Sequence, residues 1–386
     1  MKKVCFITTV SLTMKSFVVE TAKYLYNNGD YDITLICNED KDFQDSLPEY
    51  LKFIPVSMAR GIDISVLSSI FEFIKIFKRE KFDLVQFATP NASLAASIAA
   101  KICRIPTRLY CQWGIRYVGF SGTPRKIFKM IEKFVCWNAT HINAVSPLNK
   151  AFAVKEGLYK EKKATVVGRG GTIGVDLTNY DISQKAIMCK NTKQTYNINN
   201  NTFVFGFAGR VSADKGCNEL FGAFKRLGET YENVALLIAG PMEENCGIEP
   251  TLLEWAKASP KVILTGQIEN SQMCNYYSAM DVLVHPTYRE GFGMVIQEAG
   301  ALACPVITTD IPGASEVLEN GKSCLLVKPN DEASLYEKMK QMCNNPQETA
   351  VMGQNAREFV EKHYERSIML NNQLDRYISL LNKLKD

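Results

Sequence analysis

Residues 281–300 read Asp-Val-Leu-Val-His-Pro-Thr-Tyr-Arg-Glu-Gly-Phe-Gly-Met-Val-Ile-Gln-Glu-Ala-Gly. The apolar run at 282–284 predicts a strand, the two glycines predict a turn, and the following residues have the spacing of an amphipathic helix. A strand that leads through a glycine turn into a helix leaves backbone N–H groups where an anion binds well. Glu290 lies in the turn and Glu298 lies inside the helix. The stretch therefore predicts a parallel α/β unit whose two carboxylates contact opposite ends of an elongated ligand with phosphate between them.

The same alternation of strands and helices extends over the chain in two successive series. The first series has strand candidates at 4–9, 33–37, 84–87, 107–111 and 141–145. The second series has candidates at 203–208, 234–239, 262–265, 282–284 and 306–308. Alternating βαβ units predict parallel sheets that helices cover on both faces. We therefore expect an α/β fold with two doubly wound domains, and ligands at the carboxyl ends of strands in the cleft between the domains.

Glycine-rich and polar segments indicate where the domains begin and end. The glycine-rich segment 168–174 ends the first series, and the polar residues 190–201 are predicted to form a surface loop before the second. We expect the first domain at 1–175, the second at 176–365, and a C-terminal helix at 366–386 that packs back on the first domain.

Composition excludes several classes of protein. At 386 residues, with 46% hydrophobic and 22% charged residues, the chain is globular and too long for one ordinary core. The formal net charge of +4 is far from that of a dedicated nucleic-acid binder. No stretch approaches the roughly 20 apolar residues of a membrane span, and threonines interrupt the N-terminal apolar run, which favours a first strand over a signal peptide. The 12 cysteines include no C-x-x-C pair, which indicates free thiols in a reducing cytoplasm and no zinc site.

A second glycine-rich segment carries two cations. Residues 206–216 read Gly-Phe-Ala-Gly-Arg-Val-Ser-Ala-Asp-Lys-Gly, so Arg210 and Lys215 follow a predicted strand on the loop that leads into a helix at 217–227. An arginine fork and a lysine point charge together suit a diphosphate. Charged strand-to-helix loops are common, but the flanking glycines and the second glycine-rich loop, three strands onward, favour the diphosphate site.

Two other assignments of the acidic residues fit the sequence less well. The paired carboxylates of a glycosidase lie about 5–9.5 Å apart, whereas the eight-residue separation of Glu290 and Glu298 spans about 12 Å in a helix. The run Asp30-Tyr31-Asp32 has the form of a metal-binding D-x-D motif. It follows an Asn-Asn-Gly sequence and no nucleotide site surrounds it, so we expect a turn there.

The G-R-x-x-x-D-K-G run at 209–216 and the E-G-F-G-x-x-x-x-E run at 290–298 resemble the motifs of retaining glycosyltransferases of GT-B family four. The resemblance is to bacterial enzymes that build capsule, exopolysaccharide or O-antigen units. Shorter matches at 89–94, 114–117, 145–147, 174–176 and 312–316 extend it over nearly the whole chain. It implies the GT-B fold, with two Rossmann-like domains, of which the first binds the acceptor and the second binds the nucleotide sugar.

The resemblance also implies a role for each matching residue. Arg210 and Lys215 hold the donor diphosphate, Glu298 binds the ribose hydroxyls, and Glu290 binds the hydroxyls of the donor sugar. The acceptor attacks from the front face and the leaving phosphate takes its proton, so charge stabilisation and alignment matter more than a protein base. Neither a metal nor another cofactor is then required. The implied catalytic residues are Glu290, Arg210 and Lys215, and the other donor-binding positions are Gly209, Ile268, Gly291, Phe292, Gly293, Met294 and Glu298.

One position departs from the family pattern. Many relatives have a His-Gly pair near the donor sugar, where this chain has Trp113. Trp113 and Arg116 are the acceptor-side candidates, and Arg116 is the candidate for contact with an acceptor phosphate. His141 begins a predicted strand and is expected to be structural. His285 ends the strand before the motif loop, and a place for it in the cleft stays open.

Two segments of the first domain, 70–82 and 124–137, are basic and helical in period. Such a helix either buries its apolar side on the sheet or lies on an anionic bilayer. The two alternatives are compatible if its cationic side and a few exposed aromatic residues face lipid. A polyprenyl-diphosphate-linked acceptor explains both segments, and it implies a cytoplasmic protein that is peripheral on the inner face of the plasma membrane. The cations of the second segment are Arg125, Lys126, Lys129 and Lys133, and its apolar residues are Ile127, Phe128, Ile131, Phe134 and Val135.

The sequence therefore predicts a retaining, metal-independent hexosyltransferase of surface polysaccharide biosynthesis. It is expected to move a hexose or N-acetylhexosamine from a nucleotide sugar, with UDP favoured by family frequency, to a polyprenyl-diphosphate-linked sugar acceptor. A nucleotide-sugar epimerase of GT-B architecture is the alternative, but it needs an acid/base set and the E-x7-E spacing does not belong to it. A dinucleotide oxidoreductase or a non-catalytic binding module comes third, and the lack of a G-x-G-x-x-G run after the first strand tells against a dinucleotide site.

Overall fold

The computed structural model describes residues 1–59, 61, 65–243 and 246–382. These residues form two compact units, of which the first joins Met1–Ile173 to the C-terminal segment from Ser367 and the second is Gly174–Arg366. Within the expected C-terminal helix, residues 383–386 lie outside the described residues.

The first unit contains a seven-stranded parallel sheet. Its strands are β1 (Lys2–Ile7), β2 (Tyr31–Cys37), β3 (Leu51–Pro55), β4 (Leu84–Phe87), β5 (Thr107–Gln112), β6 (His141–Ala144) and β7 (Ala164–Val166). Their order across the sheet is β3-β2-β1-β4-β5-β6-β7, so the order reverses between β1 and β4. The helices of this unit are α1 (Ser11–Phe17), α2 (Val19–Asn28), α3 (Lys41–Asp45), α4 (Val66–Glu80), α5 (Pro90–Ile102), α6 (Gly122–Asn138) and α7 (Pro147–Lys155).

The second unit contains a six-stranded parallel sheet. Its strands are β8 (Phe203–Ala208), β9 (Val234–Ala239), β10 (Val262–Leu264), β11 (Val282–His285), β12 (Val306–Thr309) and β13 (Cys324–Val327), in the order β10-β9-β8-β11-β12-β13. Its helices are α8 (Lys185–Thr195), α9 (Cys217–Thr230), α10 (Pro250–Ala258), α11 (Met273–Ala279), α12 (Met294–Ala301), α13 (Glu332–Asn344) and α14 (Pro346–Tyr364). The predicted α/β fold class with two doubly wound sheets is confirmed.

The strands form because they are apolar on both faces. In β1, Val4 and Phe6 lie in one hydrophobic core, while Cys5 and Ile7 lie in the core on the other face. A strand that is buried on both faces needs helices on each side, and the βαβ connections supply them. The last helix, α15 (Arg366–Asn382), contributes Tyr377 to the core that contains Val4 and Phe6.

The polar stretch at 190–201 was predicted to be a loop, and for its first half that prediction is wrong. Helix α8 continues to Thr195 and packs against α11. Thr192 and Lys193 are buried although they are polar, because the Thr192 hydroxyl donates to the Asn275 carbonyl and the Lys193 ammonium donates to the Thr202 carbonyl. An apolar-periodicity criterion does not detect a helix whose inner face is satisfied by such hydrogen bonds.

The turn predicted at Asp30-Tyr31-Asp32 is wrong for its last two residues, because β2 begins at Tyr31 and Asp32 is paired in register with Lys3 of β1. Val18 leaves helical geometry and separates α1 from α2.

Candidate active site

Two loops meet at the carboxyl edge of the second sheet. One follows β8 and contains residues 209–216, and the other follows β11 and contains residues 286–293. Because β8 and β11 are parallel neighbours, their following loops lie side by side. The Tyr288 amide donates to the Asp214 carbonyl at 3.0 Å, and Arg289 pairs with the Asp214 carboxylate at 3.2 Å. The two predicted motifs are therefore neighbours in the fold.

Gly216 makes this close approach possible. Its φ is +74°, and a Cβ atom there would overlap the carbonyl oxygen of Pro286. An L-residue with a side chain would be strained in that conformation and would push the two loops apart. The glycine that ends the first motif thus sets the distance between Lys215 and the second motif.

Glu290 lies at the centre of the contacts between these loops. Its Oε2 atom accepts from the Lys215 ammonium at 2.9 Å and from His285 Nε2 at 3.1 Å, and its Oε1 accepts from the Gly291 amide at 3.1 Å. Burial by itself would raise the pKa of Glu290, but the hydrogen bond from His285 and the charge of Lys215 outweigh it and lower the pKa. Glu290 is therefore a carboxylate, with no proton to give near neutral pH.

His285 is a site residue that the sequence left open. It is the last residue of β11, it is 2% exposed, and its ring stacks against Phe207 of the neighbouring strand β8. Burial lowers the pKa of His285, so the imidazole is neutral. Its position at the end of a strand before a motif loop was the only sequence signal for this role.

Arg210 does not share the partner of Lys215. Its half-exposed guanidinium is paired with the Glu243 carboxylate and lies 3.8 Å from the Asp214 carboxylate. The structure thus brings Lys215 and Glu290 into direct contact and leaves Arg210 at the outer side of the same loop.

Glu298 has different partners from those of Glu290. On α12, its carboxylate accepts from the Tyr277 hydroxyl at 2.8 Å and from the Tyr180 hydroxyl. Burial raises the pKa of Glu298, and the two tyrosine hydrogen bonds and the charge of Arg366 offset only part of this effect. Tyr180 and Tyr277 were not singled out by the sequence analysis, because single tyrosines far from the motif give no local signal.

The glycine turn at 291–293 packs closely against the backbone at Gly313. The Gly293 amide donates to the Gly313 carbonyl at 3.0 Å, and a Cβ atom at Gly313 would overlap the carbonyl oxygen of Gly291. Phe292 is buried and its ring contacts Tyr364 edge to face at 5.6 Å, so only its backbone is available to a ligand. Met294 begins α12, directly after this turn.

The other two predicted donor positions lie on either side of this centre. Gly209 has a φ of +131°, and a Cβ atom on Gly240 would overlap its carbonyl oxygen. Ile268 is half-buried in the loop after β10, the edge strand that β9 and β8 separate from β11.

The acceptor-side candidates follow β5 of the first unit. Trp113 is half-buried and its ring lies 5.3 Å from that of Phe17. The Arg116 guanidinium lies over the Phe128 ring at 4.8 Å, a cation–π contact that anchors it to α6.

A half-buried glutamate of α6 bonds to the end of β5, directly before this loop. Glu132 of α6 accepts from the Tyr110 hydroxyl at 2.9 Å and from the Gln112 amide at 2.6 Å, and Gln112 immediately precedes Trp113. Burial raises the pKa of Glu132 more than these two hydrogen bonds lower it.

The cations of α6 separate into two groups, which the sequence treated as one. Lys129 pairs with Glu156 at 2.8 Å, and Arg125 lies 3.8 Å from the same carboxylate. Lys126 and Lys133 are exposed. The helix also has an exposed apolar side, where Met130 is 66% exposed and Trp137 63% exposed, together with Ile127 and Phe134.

Comparison with known proteins identifies the family. A model described as glycosyl transferases group 1 matches residues 189–359, and one described as glycosyl transferase 4-like matches residues 3–146. The capsular polysaccharide biosynthesis glycosyltransferase CapM of Staphylococcus aureus is 32% identical over 339 residues, which are 88% of this chain and 87% of the relative. The chain belongs to the group 1 glycosyltransferases.

This glycosyltransferase is also similar to a second curated relative and to a solved structure. The UDP-Gal:alpha-D-GlcNAc-diphosphoundecaprenol alpha-1,3-galactosyltransferase of Escherichia coli is 25% identical over 323 residues, which are 80% of this chain and 79% of the relative. The solved structure of sucrose-phosphate synthase from Thermosynechococcus elongatus has a TM-score of 0.80 at 18% identity, and covers 99% of this chain and 100% of its own. The predicted GT-B fold and glycosyltransferase function are thereby confirmed.

Residues 1–59, 61, 65–243 and 246–382 contain no helix that combines the length and the apolar character of a membrane-spanning segment.

Proposed function

We propose that this glycosyltransferase moves a hexose or N-acetylhexosamine from a UDP-sugar to a polyprenyl-diphosphate-linked sugar, with retention of configuration and without a metal ion. The observation that carries the donor half is the contact of Lys215 with Glu290 at the carboxyl edge of the second sheet, beside Arg210 of the same loop. A lone surface ion pair would carry little weight. This one is mostly buried, and it lies where α/β sheets bind their ligands.

The charges at this edge suit a departing nucleotide diphosphate. Lys215 and Arg210 supply two positive charges, and the start of α12 adds the positive end of a helix dipole. Together they offset the charge that develops as the bond between sugar and diphosphate breaks, which is the charge that a metal ion offsets in other enzymes.

Glu290 acts as a hydrogen-bond acceptor for the sugar hydroxyls and not as a proton donor. Its lowered pKa keeps it ionised, so it cannot protonate a leaving group. The leaving phosphate oxygen takes the proton of the attacking acceptor hydroxyl on the same face of the sugar, and that geometry gives retention. Glu298 holds the ribose hydroxyls at the nucleotide end of the donor.

The names of two relatives support the donor and the acceptor. The Escherichia coli relative is named for a UDP-Gal donor and a diphosphoundecaprenol-linked acceptor, and the Staphylococcus aureus relative is named for capsular polysaccharide biosynthesis. For this chain we propose the same kind of acceptor, bound by the first unit near Trp113 and Arg116.

A lipid-linked acceptor also requires a surface that lies on the membrane, and α6 offers one. Successive residues of a helix are rotated by about 100°. The exposed apolar residues of α6 and its exposed lysines, Lys126 and Lys133, therefore project within one arc of about 120°. Lys129 and Arg125 lie outside this arc, on the side that Glu156 neutralises. A helix face with Trp, Phe, Met and lysines suits an anionic lipid surface. We call this arc the α6 face; its residues are Lys126, Ile127, Met130, Lys133, Phe134 and Trp137.

Flotation with anionic vesicles tests the α6 face. Changing Lys126 and Lys133 to Glu should release most of the bound protein, because each lysine near an anionic surface contributes about 1 kcal/mol. Changing Lys257 and Lys362, two exposed lysines of the second unit, to Glu is the control with the same net charge. Equal release by both pairs would show that overall charge, and not this face, holds the protein on lipid.

A donor screen tests the transfer itself. The protein is mixed with UDP- and GDP-sugars and a lipid-linked acceptor extract, in the presence and absence of EDTA, and nucleotide release and the anomeric configuration of the product are followed. We expect UDP release and an α-linked product from an α-linked donor, unaffected by EDTA. Formation of an epimerised nucleotide sugar without acceptor would favour the epimerase instead, and loss of activity with EDTA would contradict metal independence.

A further inference from the structure

One atom of Glu290 serves two donors. The Lys215 ammonium and His285 Nε2 both contact Oε2, whereas Oε1 is bound only by the amide of the adjacent residue Gly291 among the described residues. In the proposed function, which this inference rests on, Lys215 turns towards the donor diphosphate. When that contact lengthens, the carboxylate needs another partner to stay in place for the sugar.

His285 is built for that task. Its backbone belongs to β11, in the middle of the sheet, and its carbonyl accepts from the Thr308 hydroxyl of β12 at 2.9 Å. Its ring is held against Phe207 of β8. A side chain that is fixed by strands on both sides keeps its position when a lysine on a loop moves.

The ring contacts also decide the tautomer. Nδ1 is buried and hydrogen-bonds to none of the residues that the structure describes, and Nε2 faces an ionised carboxylate. A neutral imidazole can donate from only one nitrogen, so the proton lies on Nε2. The Nδ1 lone pair is enclosed in protein, so His285 has no free lone pair with which to accept a proton from a substrate.

We propose that His285 is a positioning residue for Glu290, and that its Nε2–H holds the Glu290 carboxylate in place for the donor sugar when Lys215 binds the diphosphate. It does not touch the substrate and it does not transfer a proton. The histidine of this donor site therefore belongs to the second unit, in a chain that has Trp113 where many relatives have a histidine in the first.

Three substitutions separate this role from simple packing. In His285→Gln the amide nitrogen replaces Nε2, so Glu290 keeps a donor. In His285→Asn the amide nitrogen is near the former Nδ1 and cannot reach Glu290, and in His285→Phe the ring remains without a donor. We expect kcat within about threefold of the parent for Gln, and a loss of about 10- to 100-fold for Asn and Phe, the cost of a misplaced catalytic group.

The binding of UDP alone is the second measurement. Because UDP lacks the sugar, its Kd should change by less than about twofold in all three variants, as expected when uniform binding is intact and only transition-state alignment is lost. A kcat for Asn or Phe equal to that of the parent would overturn the proposal. So would equal losses in Gln, Asn and Phe, because the ring and not the donor would then matter.

Glu290→Gln and Lys215→Ala, measured in the same assay, distinguish failure of this inference from failure of the donor site. If both retain parental activity, the donor site is wrong and the role of His285 falls with it. If both are inactive while Asn and Phe at position 285 are fully active, only the role of His285 is wrong. If Phe fails to fold, the Gln and Asn pair alone still decides the question, since both are polar and smaller than the ring.

Discussion

Glu290 and Glu298 belong to the same motif, yet the fold gives them opposite environments. Glu290 contacts a lysine and a histidine and has a lowered pKa, whereas Glu298 contacts two tyrosines and has a raised pKa. Both are carboxylates that are largely removed from water. The difference therefore comes from the partner, because among the described residues Glu290 has a cation within hydrogen-bond distance and Glu298 has none.

This contrast supports the different roles that we propose for the two residues. An ionised carboxylate beside a cation suits the reacting end of the donor, where charge moves during the reaction. A carboxylate held by neutral hydroxyls suits the nucleotide end, where hydroxyls of the ligand take over part of the same hydrogen bonding. The comparison predicts that changes at Glu290 lower kcat and that changes at Glu298 raise the donor KM.

The largest effect is expected for Glu290→Gln. The variant removes the negative charge opposite Lys215 and one acceptor for the sugar, so kcat should fall by about 10²- to 10³-fold, as for other residues that stabilise a transition state electrostatically. Steady-state UDP release measures it. Glu254→Gln, which neutralises an exposed carboxylate on α10, is the control and should keep parental activity.

Glu298→Gln should have a smaller effect, and on a different constant. A hydrogen bond to a charged group contributes about 1.5–3 kcal/mol, so the donor KM should rise by roughly 10- to 100-fold with a change in kcat below about threefold. If kcat falls as far as in Glu290→Gln while KM stays constant, the two carboxylates do not divide the work as proposed.

The pH dependence of stability should have opposite signs for the two residues. The pKa of Glu290 is lowered from 4.5, so its stabilisation is present above pH 4.5 and is lost as the pH falls through the folded-state pKa. The pKa of Glu298 is raised from 4.5, so its contribution is present below pH 4.5 and is lost as the pH rises through the folded-state pKa.

Urea unfolding of both Gln variants over a range of pH measures this difference. Relative to the parent, Glu290→Gln should be most destabilising near neutral pH and should approach the parent in acid. Glu298→Gln should gain stability relative to the parent as the pH rises above 4.5. If the unfolding free energies of the two variants changed with pH in the same direction, burial and not the hydrogen-bond partner would determine the pKa of both carboxylates.

The smallest effect is expected for Tyr277→Phe. Loss of its hydroxyl removes one of the hydrogen bonds that lower the pKa of Glu298, so the protein should lose about 1 kcal/mol of stability and the pKa of Glu298 should rise further. Tyr276→Phe is the matched control on the same helix, because the Tyr276 hydroxyl bonds to Tyr196 instead. Equal donor KM values for the two variants would show that Tyr277 does not contribute to donor binding.

Local patterns were sufficient to predict most of the fold. The apolar strands, the glycine turns and the helix periods act over a few residues, and they predicted two parallel α/β sheets with Glu290 in a turn and Glu298 in a helix. They failed where polar groups that are far apart in the sequence form hydrogen bonds with each other, as in α8, where the Thr192 hydroxyl donates to the Asn275 carbonyl. They also did not detect β3, β7 and β13, three short strands in the sheets.

The candidate site was predicted only in part, for the same physical reason. The strand and loop patterns predicted that both loops lie at the carboxyl edge of one sheet, since every parallel strand ends there. It did not reveal that Lys215 contacts Glu290, because their 75-residue separation is closed by the pairing of β8 with β11. Nor did it reveal that Lys129 is neutralised by Glu156 while Lys126 and Lys133 stay exposed, because both groups occupy the same basic helix.

By itself the sequence determined the fold class, the two glycine-rich loops and the charges that they carry, because backbone preference and hydrophobic period are local properties. Tertiary structure alone decided which partner each charge has. Beside Lys215 and His285 a carboxylate has a lowered pKa, whereas between two tyrosines a buried carboxylate has a raised pKa. The arrangement of the strands and helices determines which of these groups lies next to it. That choice is what makes Glu290 and Glu298 different, although the motif contains the same residue at both positions.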